Sequence, residues 1–262
     1  MMTGKRNYFH WISSVFALAI LFSCSGPLEP IFSETPRFPD QLGSVWVYND
    51  YSDTSGTGRL FELIGQIRRE VVVADSFKGK SAVFVESWFT PVPNSGLDAT
   101  RDTTIFSIEG NNRMIYLESI SDLIGDLFPA NLEGTFRPGW YPYLMYRTND
   151  EYTIIERDTL RTLIGTDTLF LYVSVSGKVL QEDTLSVNGQ VRTVTPLNLS
   201  VSLSAKFQDV FVPFAPLIIS HWCGDNVGLV QQITGSISIP PEVLGVLIRS
   251  PSFRYELIDF RQ

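Results

Sequence analysis

The sequence predicts an all-β protein built on one strongly curved antiparallel sheet, a half-barrel. Three observations point there. Stretches rich in Val, Ile, Phe, Tyr and Trp recur from residue 45 to residue 257. Turn signals separate them, at Lys78-Gly79-Lys80, Gly110-Asn111-Asn112 and Asn188-Gly189, and Asn-Gly between apolar runs is the strongest short hairpin signal. The segment Leu197 to Gln208 alternates without a fault: Leu197, Leu199, Val201, Leu203, Ala205 and Phe207 on one face, Asn198, Ser200, Ser202, Ser204, Lys206 and Gln208 on the other. A strand of about 12 residues spans roughly 40 Å. Strands that long suit a curved sheet or open barrel better than a compact sandwich.

The elements follow in order. Val45 to Tyr48 opens the domain. Arg59 to Ile64 and Gln66 to Val73 are expected as two strands joined near Gly65, and Ser81 to Phe89 as a third. Thr103 to Ile108 and Arg113 to Glu118 form a hairpin about Gly110. Helix is scarce. Ser121 can cap a short segment from Asp122 to Phe128, which Pro129 ends, and Pro240-Pro241-Glu242 can open a turn or two through Leu247, with proline in the first helical turn. Pro129 to Pro142 reads as a loop. Asp167 to Ser176 is a long strand, and Thr184 to Val187 pairs with Gln190 to Val194 across Asn188-Gly189.

The first residues carry an address. Lys5 and Arg6 precede an apolar stretch from Trp11 to Phe22, then Ser23 and Cys24. That layout is a secretory signal, too short for a confident membrane span. Leu21-Phe22-Ser23-Cys24 resembles the lipobox of bacterial lipoproteins, which implies cleavage before Cys24 and a lipid (diacylglycerol, with palmitate-type acyl chains) on its thiol. Ser25 implies sorting to the outer membrane by the same resemblance. The expected organisation is a signal peptide over 1–23, a lipidated cysteine and Pro-rich tether over 24–42, and a single β domain over 43–262. Pro27, Pro30, Pro36 and Pro39 make the tether extended and moderately stiff. The protein is then held at the cell envelope by its lipid.

Composition narrows the partners. The chain has 262 residues, 44% of them hydrophobic, enough for a sizeable core. Of its 2 cysteines, Cys223 remains once Cys24 is acylated, so the body is stabilised by packing rather than by a disulfide. Lys5 and Arg6 leave with the leader, so 18 of the 20 basic side chains face 28 acidic ones. Such a surface repels phosphate backbones and excludes nucleic acid as a partner.

Each candidate for chemistry has a plainer reading. Gly79-Lys80-Ser81 ends like a phosphate-binding loop, but Ala74 stands where the first glycine belongs and a strand pattern follows. His221 and Cys223, two apart in a strand, share a face, with Asp225 nearby. They lack an orienting group and an oxyanion site, and a zinc site needs more His or Cys than the chain offers. Asp158, Asp167, Glu182 and Asp183 are scattered. No enzyme, metal or cofactor is expected. The aromatic residues offer more. In Leu169 to Val175 both strand faces are apolar, so both are covered, by protein or by ligand. Trp46, Tyr48, Trp88, Phe170, Leu171, Tyr172 and Trp222 are the candidate lining of an apolar-ligand site.

Three local signatures resemble a group of bacterial lipoproteins. They are the opening Gly43-Ser44-Val45-Trp46-Val47-Tyr48, the element Trp222-Cys223-Gly224-Asp225-Asn226-Val227-Gly228-Leu229-Val230, and the closing Phe253-Arg254-Tyr255-Glu256-Leu257. Such proteins look like the LolA/LppX-type half-barrel, a curved sheet whose concave side is plugged by small helices. That resemblance implies a binding or carrier module for an apolar ligand held in the concave sheet. The alternative is a structural or assembly partner in an envelope protein complex, working through a strand edge or the Pro129–Pro142 loop.

Overall fold

The structure is a computed structural model that describes residues 38, 40–53, 55, 59–110, 112–124, 133–145, 151–164, 167–239 and 248–262. The expected leader, Cys24, the expected tether up to Arg37, and the expected helical turns at 125–128 and 240–247 lie outside the described residues.

Strand follows strand: β1 (Val45–Asp53), β2 (Phe61–Phe77), β3 (Lys80–Pro91), β4 (Thr100–Glu109), β5 (Asn112–Leu117), β6 (Glu133–Gly134), β7 (Gly139–Met145), β8 (Tyr152–Ile164), β9 (Asp167–Val179), β10 (Asp183–Val187), β11 (Gln190–Phe207), β12 (Val210–Pro213), β13 (Leu217–Gly224), β14 (Gly228–Thr234), β15 (Ile237–Ile239), β16 (Ile248–Ser250) and β17 (Phe253–Arg261). The one helix among the described residues is α1 (Ser121–Ile124), a single turn.

Fifteen strands form one antiparallel sheet in the order β6-β8-β9-β11-β13-β14-β17-β1-β2-β3-β4-β5-β7, with β10 and β12 added to β11. The first and last long strands, β1 and β17, are neighbours in its middle. The sheet curls until β7, at one end of the order, packs against β8 and β9 near the other. No ladder joins β7 to β8. The seam is bridged instead by the Tyr152 hydroxyl, which donates to the Tyr143 carbonyl at 2.7 Å. Gly177, opposite Tyr152 on β9, lets the ring lie there; a Cβ at that position would come within 2.3 Å of it. The result is a sheet nearly closed into a barrel, more closed than the expected half-barrel.

Long strands bend where residues are skipped in the register, between Asp50 and Tyr51, Val71 and Val73, and Trp222 and Cys223. Such bulges raise local twist and let a sheet curl. The strand pair expected on either side of Gly65 is instead the single 17-residue β2. Gly65 is buried under the Phe89 ring, so its missing side chain serves close packing and marks no turn. The expected loop to Pro142 ends in strand, since β7 contains Pro142. A strand at the end of the sheet order tolerates proline because one of its edges needs no ladder. The hairpins occur as expected, with Lys78 and Gly79 at φ 48 and 82, and Asn188 and Gly189 at φ 54 and 75.

Two apolar clusters line the inner face. The larger holds Leu117, Leu169, Leu171, Val173, Val175, Leu197, Leu199 and Val201, none more than 2% exposed. These residues, from β5, β9 and β11, fill that half of the barrel with their own side chains. The smaller cluster gathers Trp46, Tyr48, Ile67, Val71, Val83, Val85 and Leu257. The folded body reaches back into the expected tether: Phe38 is buried in the larger cluster, and Arg113 is held between the Phe38 and Phe106 rings, 4.5 and 3.7 Å from their centres.

Candidate functional site

The inner face is not apolar throughout. Register assembles a polar row across β1, β17, β14 and β13, with Asp50 opposite Tyr255, Tyr255 opposite Gln232, and Gln232 opposite His221. From β2, Arg69 stands opposite Trp46. Its guanidinium lies 5.3 Å from the centre of the Tyr48 ring and 5.8 Å from that of Tyr255. Tyr143 of β7 reaches across the barrel to share a 3.0 Å hydrogen bond with Nε2 of His221. Farther along, Arg113 pairs with Asp40 at 3.2 Å.

Several of these groups are buried with hydrogen-bonding capacity left over. Asp50 is 5% exposed, and its Oδ1 meets no hydrogen-bond donor among the described residues. His221 is 2% exposed; its Nδ1 has no well-formed partner, with the Gln232 side chain as its polar neighbour. The half-buried Arg69 guanidinium has no carboxylate within ion-pair distance and no hydrogen bond among the described residues. An unsatisfied buried polar group costs about 1–3 kcal/mol, so those on Asp50 and His221 call for a physical account.

Burial sets the protonation states. It pushes the Asp50 carboxyl up to about 7, with the nearby Arg69 charge pulling the other way. Burial drives His221 down to about 3, helped by Arg69 and opposed by Gln232. The Tyr143 hydroxyl is pushed up to about 12, chiefly by burial, and those of Tyr48, Tyr152 and Tyr255 are raised for the same reason. Near neutral pH the cluster of Arg69, Asp50, His221 and the tyrosines therefore combines one fixed cation, a carboxyl on the edge of ionisation, and otherwise neutral groups.

The seven residues predicted to line one site divide between the two faces. Trp46, Tyr48 and Leu171 face inward. Trp46 Nε1 donates to the Val227 carbonyl at 2.6 Å, the Tyr48 hydroxyl donates to the Leu229 carbonyl at 3.0 Å, and Leu171 is part of the filled core. Trp88, Phe170, Tyr172 and Trp222 lie on the outer face. Trp88 is flanked there by Arg68 and Arg101, at 5.0 and 5.6 Å from its ring. Tyr172 lies beneath Arg157 and beside Phe211 of β12, at 4.2 and 6.2 Å, so the two-sided apolarity of β9 is covered on its outer side by protein. Trp222 packs with Val187, Val194 and Val230. His221 and Cys223 do share the inner face, but Asp225 sits exposed in the following turn. A histidine driven to about 3 is a poor base for activating a thiol.

Arg69, Asp50, Tyr143, Gln232 and Tyr255 did not stand out in the sequence, although a signal exists. Arg69 shares strand parity with Ile67 and Val71, and Asp50 shares it with Trp46 and Tyr48. A charge at an inward position of an otherwise apolar face is the mark of a buried polar site.

A second feature lies outside. β14 pairs with β17 only from Gln231 to Thr234. Beyond, the strands part, and the turn of the β10–β11 hairpin overhangs the gap. This leaves a cleft of about 260 Å³ lined by Val187, Asn188, Arg192, Val230, Ile258 and Phe260, among others. No group of His, Cys, Asp and Glu able to hold a metal occurs among the described residues.

No protein family and no curated protein matches this chain. Among solved structures, it is similar to a "putative lipoprotein" from Parabacteroides distasonis, with TM-score 0.49 and 10% identity over 87% of this chain and 99% of that one. It is also similar to a "putative exported protein with YmcC-like fold" from Bacteroides fragilis, with TM-score 0.47 and 13% identity over 87% of this chain and 100% of that one. At these identities and TM-scores the likenesses say nothing about what this chain does.

Proposed function

We propose that this chain is an envelope lipoprotein, anchored in the outer membrane through Cys24, whose barrel is a non-enzymatic binding module with its site on the inner face around Arg69. One observation carries the reading: Asp50 and His221 are buried inside the barrel, each with a polar atom that no group of the described residues satisfies, and the half-buried Arg69 guanidinium, which acts electrostatically on both, has no carboxylate within ion-pair distance. A group that completes them repays their burial. The apolar half of the barrel offers no comparable seat, because Leu117, Leu169, Leu197 and Val201 fill it at 0% exposure. The LolA-like idea of an apolar chain lying along the concave sheet is thereby narrowed to a guest with a polar end at Arg69. The assembly-partner reading draws instead on the outer cleft, where β17, paired with β1 through Arg261, has no ladder partner on its β14 side beyond Glu256.

The test is native mass spectrometry of the full chain extracted gently from envelopes. A discrete mass added to the acylated protein, lost on unfolding and absent from an Arg69→Gln variant, is the expected result. An apo mass with a stoichiometric protein partner would favour the assembly reading, and a chain cleaved without acylation at Cys24 would remove the anchor.

A further inference from the structure

We infer that the Arg69 cluster takes a small monocarboxylate, bound by its two oxygens to the Arg69 guanidinium and by the Asp50 carboxyl at its side. The inference rests on the binding-module reading and adds the chemical class of the guest. Its first support is charge. A charge partly withdrawn from water gains from a partner of opposite sign, yet among the described residues the half-buried Arg69 has no carboxylate within ion-pair distance, while Arg113, the other inward arginine of this region, is paired with Asp40. Its second support is shape. A guanidinium offers parallel N–H donors that match the two oxygens of a carboxylate. The Tyr48 and Tyr255 rings flank that fork at 5.3 and 5.8 Å and leave its donors for a guest.

The third support is the neighbour. Asp50 is buried with an unpartnered Oδ1. The titratable and charged groups facing it are Arg69 from β2, Tyr255 from β17, Tyr48 from β1, and, more distantly, His221 from β13 and Tyr143 from β7. Arg69 is the only cation of that set near neutral pH. An anion at Arg69 therefore favours the protonated form of Asp50, which then donates its O–H to the guest. One guanidinium and one carboxylic acid balance a single negative charge. A phosphate dianion would face Asp50 with excess charge, so the cluster discriminates against it. Ile67, Leu229 and Leu257 nearby suit a short alkyl or planar aromatic group behind the carboxylate.

His221 supplies a reporter. The chain has 2 histidines, His10 and His221, so a full chain carrying His10→Gln and ¹⁵N-labelled histidine shows one imidazole. Titration with sodium acetate, butyrate or benzoate at constant ionic strength should shift its ring resonances saturably, with one site per chain. Sodium chloride and inorganic phosphate should not. Binding should weaken by up to about tenfold from pH 6 to pH 8, and Asp50→Asn should flatten that dependence. Arg69→Gln should abolish the response while leaving the strand circular-dichroism signal intact; if that variant does not fold, the wild-type titration decides alone. No saturable shift with any of the carboxylates up to 50 mM (roughly the weak end of ligand affinities) would mean the cluster holds water only and overturns the inference. A different co-purifying molecule by native mass spectrometry would overturn the carboxylate while keeping the binding module.

Discussion

Replacing Asp50 with asparagine should stabilise this protein, and by an amount set by pH. The side chain keeps its shape and loses only its charge. Burial raises the folded-state carboxyl from 3.8 to about 7. A group whose folded pKa lies above its unfolded value contributes most below the unfolded pKa, and that contribution disappears as pH rises through the folded value. Asp50 is therefore harmless near pH 4 and costly near pH 8. About 3 pK units at about 1.4 kcal/mol each give an upper limit of about 4 kcal/mol, and water reaching the other carboxylate oxygen lowers the realised figure to about 2–3 kcal/mol. His221 titrates in the opposite sense. Its pKa is lowered to about 3, so its contribution is complete above the ordinary histidine value of 6.5 and is lost as pH falls toward 3. That loss is common to the wild type and the variant and cancels in their difference. The assay is urea unfolding of both proteins at pH 4, 6 and 8 in carboxylate-free buffer, compared at equal m-value. The two curves should coincide at pH 4 and separate steadily to pH 8, with Asp50→Asn the more stable. A variant less stable than wild type at pH 8 would mean that Asp50 forms a net-favourable ion pair with Arg69, and the account of the cluster's charge would be wrong.

Three further outcomes follow from the architecture. Leu203 is 4% exposed while Ser202 faces solvent, so Leu203→Asp should cost at least about 3 kcal/mol and Ser202→Asp under about 0.5 kcal/mol; equal losses in denaturant melts would refute the assignment of faces. Gly177→Ala places a Cβ 2.3 Å from the Tyr152 ring and should displace the hydroxyl from the Tyr143 carbonyl, lowering stability by about 1–3 kcal/mol; hydrogen exchange should rise along β7 and β8, and an unchanged protection pattern would show that the seam does not depend on that bond. Cys24→Ala should abolish acylation and release the body from membranes, which fractionation and intact mass read directly, and membrane retention of the variant would remove the lipid anchor from the proposal.

The alternating stretch from Leu197 to Ala205 was legible because strand geometry is local: side chains point to opposite faces with period two. Its buried and solvent-facing members fall as that period requires. The Asn188-Gly189 and Lys78-Gly79 turns were legible for the same kind of reason, since positive φ is a property of the residue itself. Gly65 shows where locality ends. In sequence it looks like a break between two strands, but its lack of a side chain answers a Phe89 ring contributed by the paired strand β3. The seven expected lining residues divide between the two faces for a related reason. Parity along β9 separates Leu171 from Phe170 and Tyr172, yet only the packing of Arg157 and Phe211 on the outer side shows why both faces can be apolar.

Residue type and short-range period are enough for the all-β class, the hairpins and the facing of the longest strand. The tertiary structure decided the rest. It curled the sheet until β7 met β8, filled one half of the interior with leucine and valine, and brought Arg69 within electrostatic reach of both Asp50 and His221, from three strands. No local rule encodes that meeting. It depends on register across β2, β1, β17, β14 and β13, and a one-residue slip in any of those pairings would turn its polar residue to the outer face.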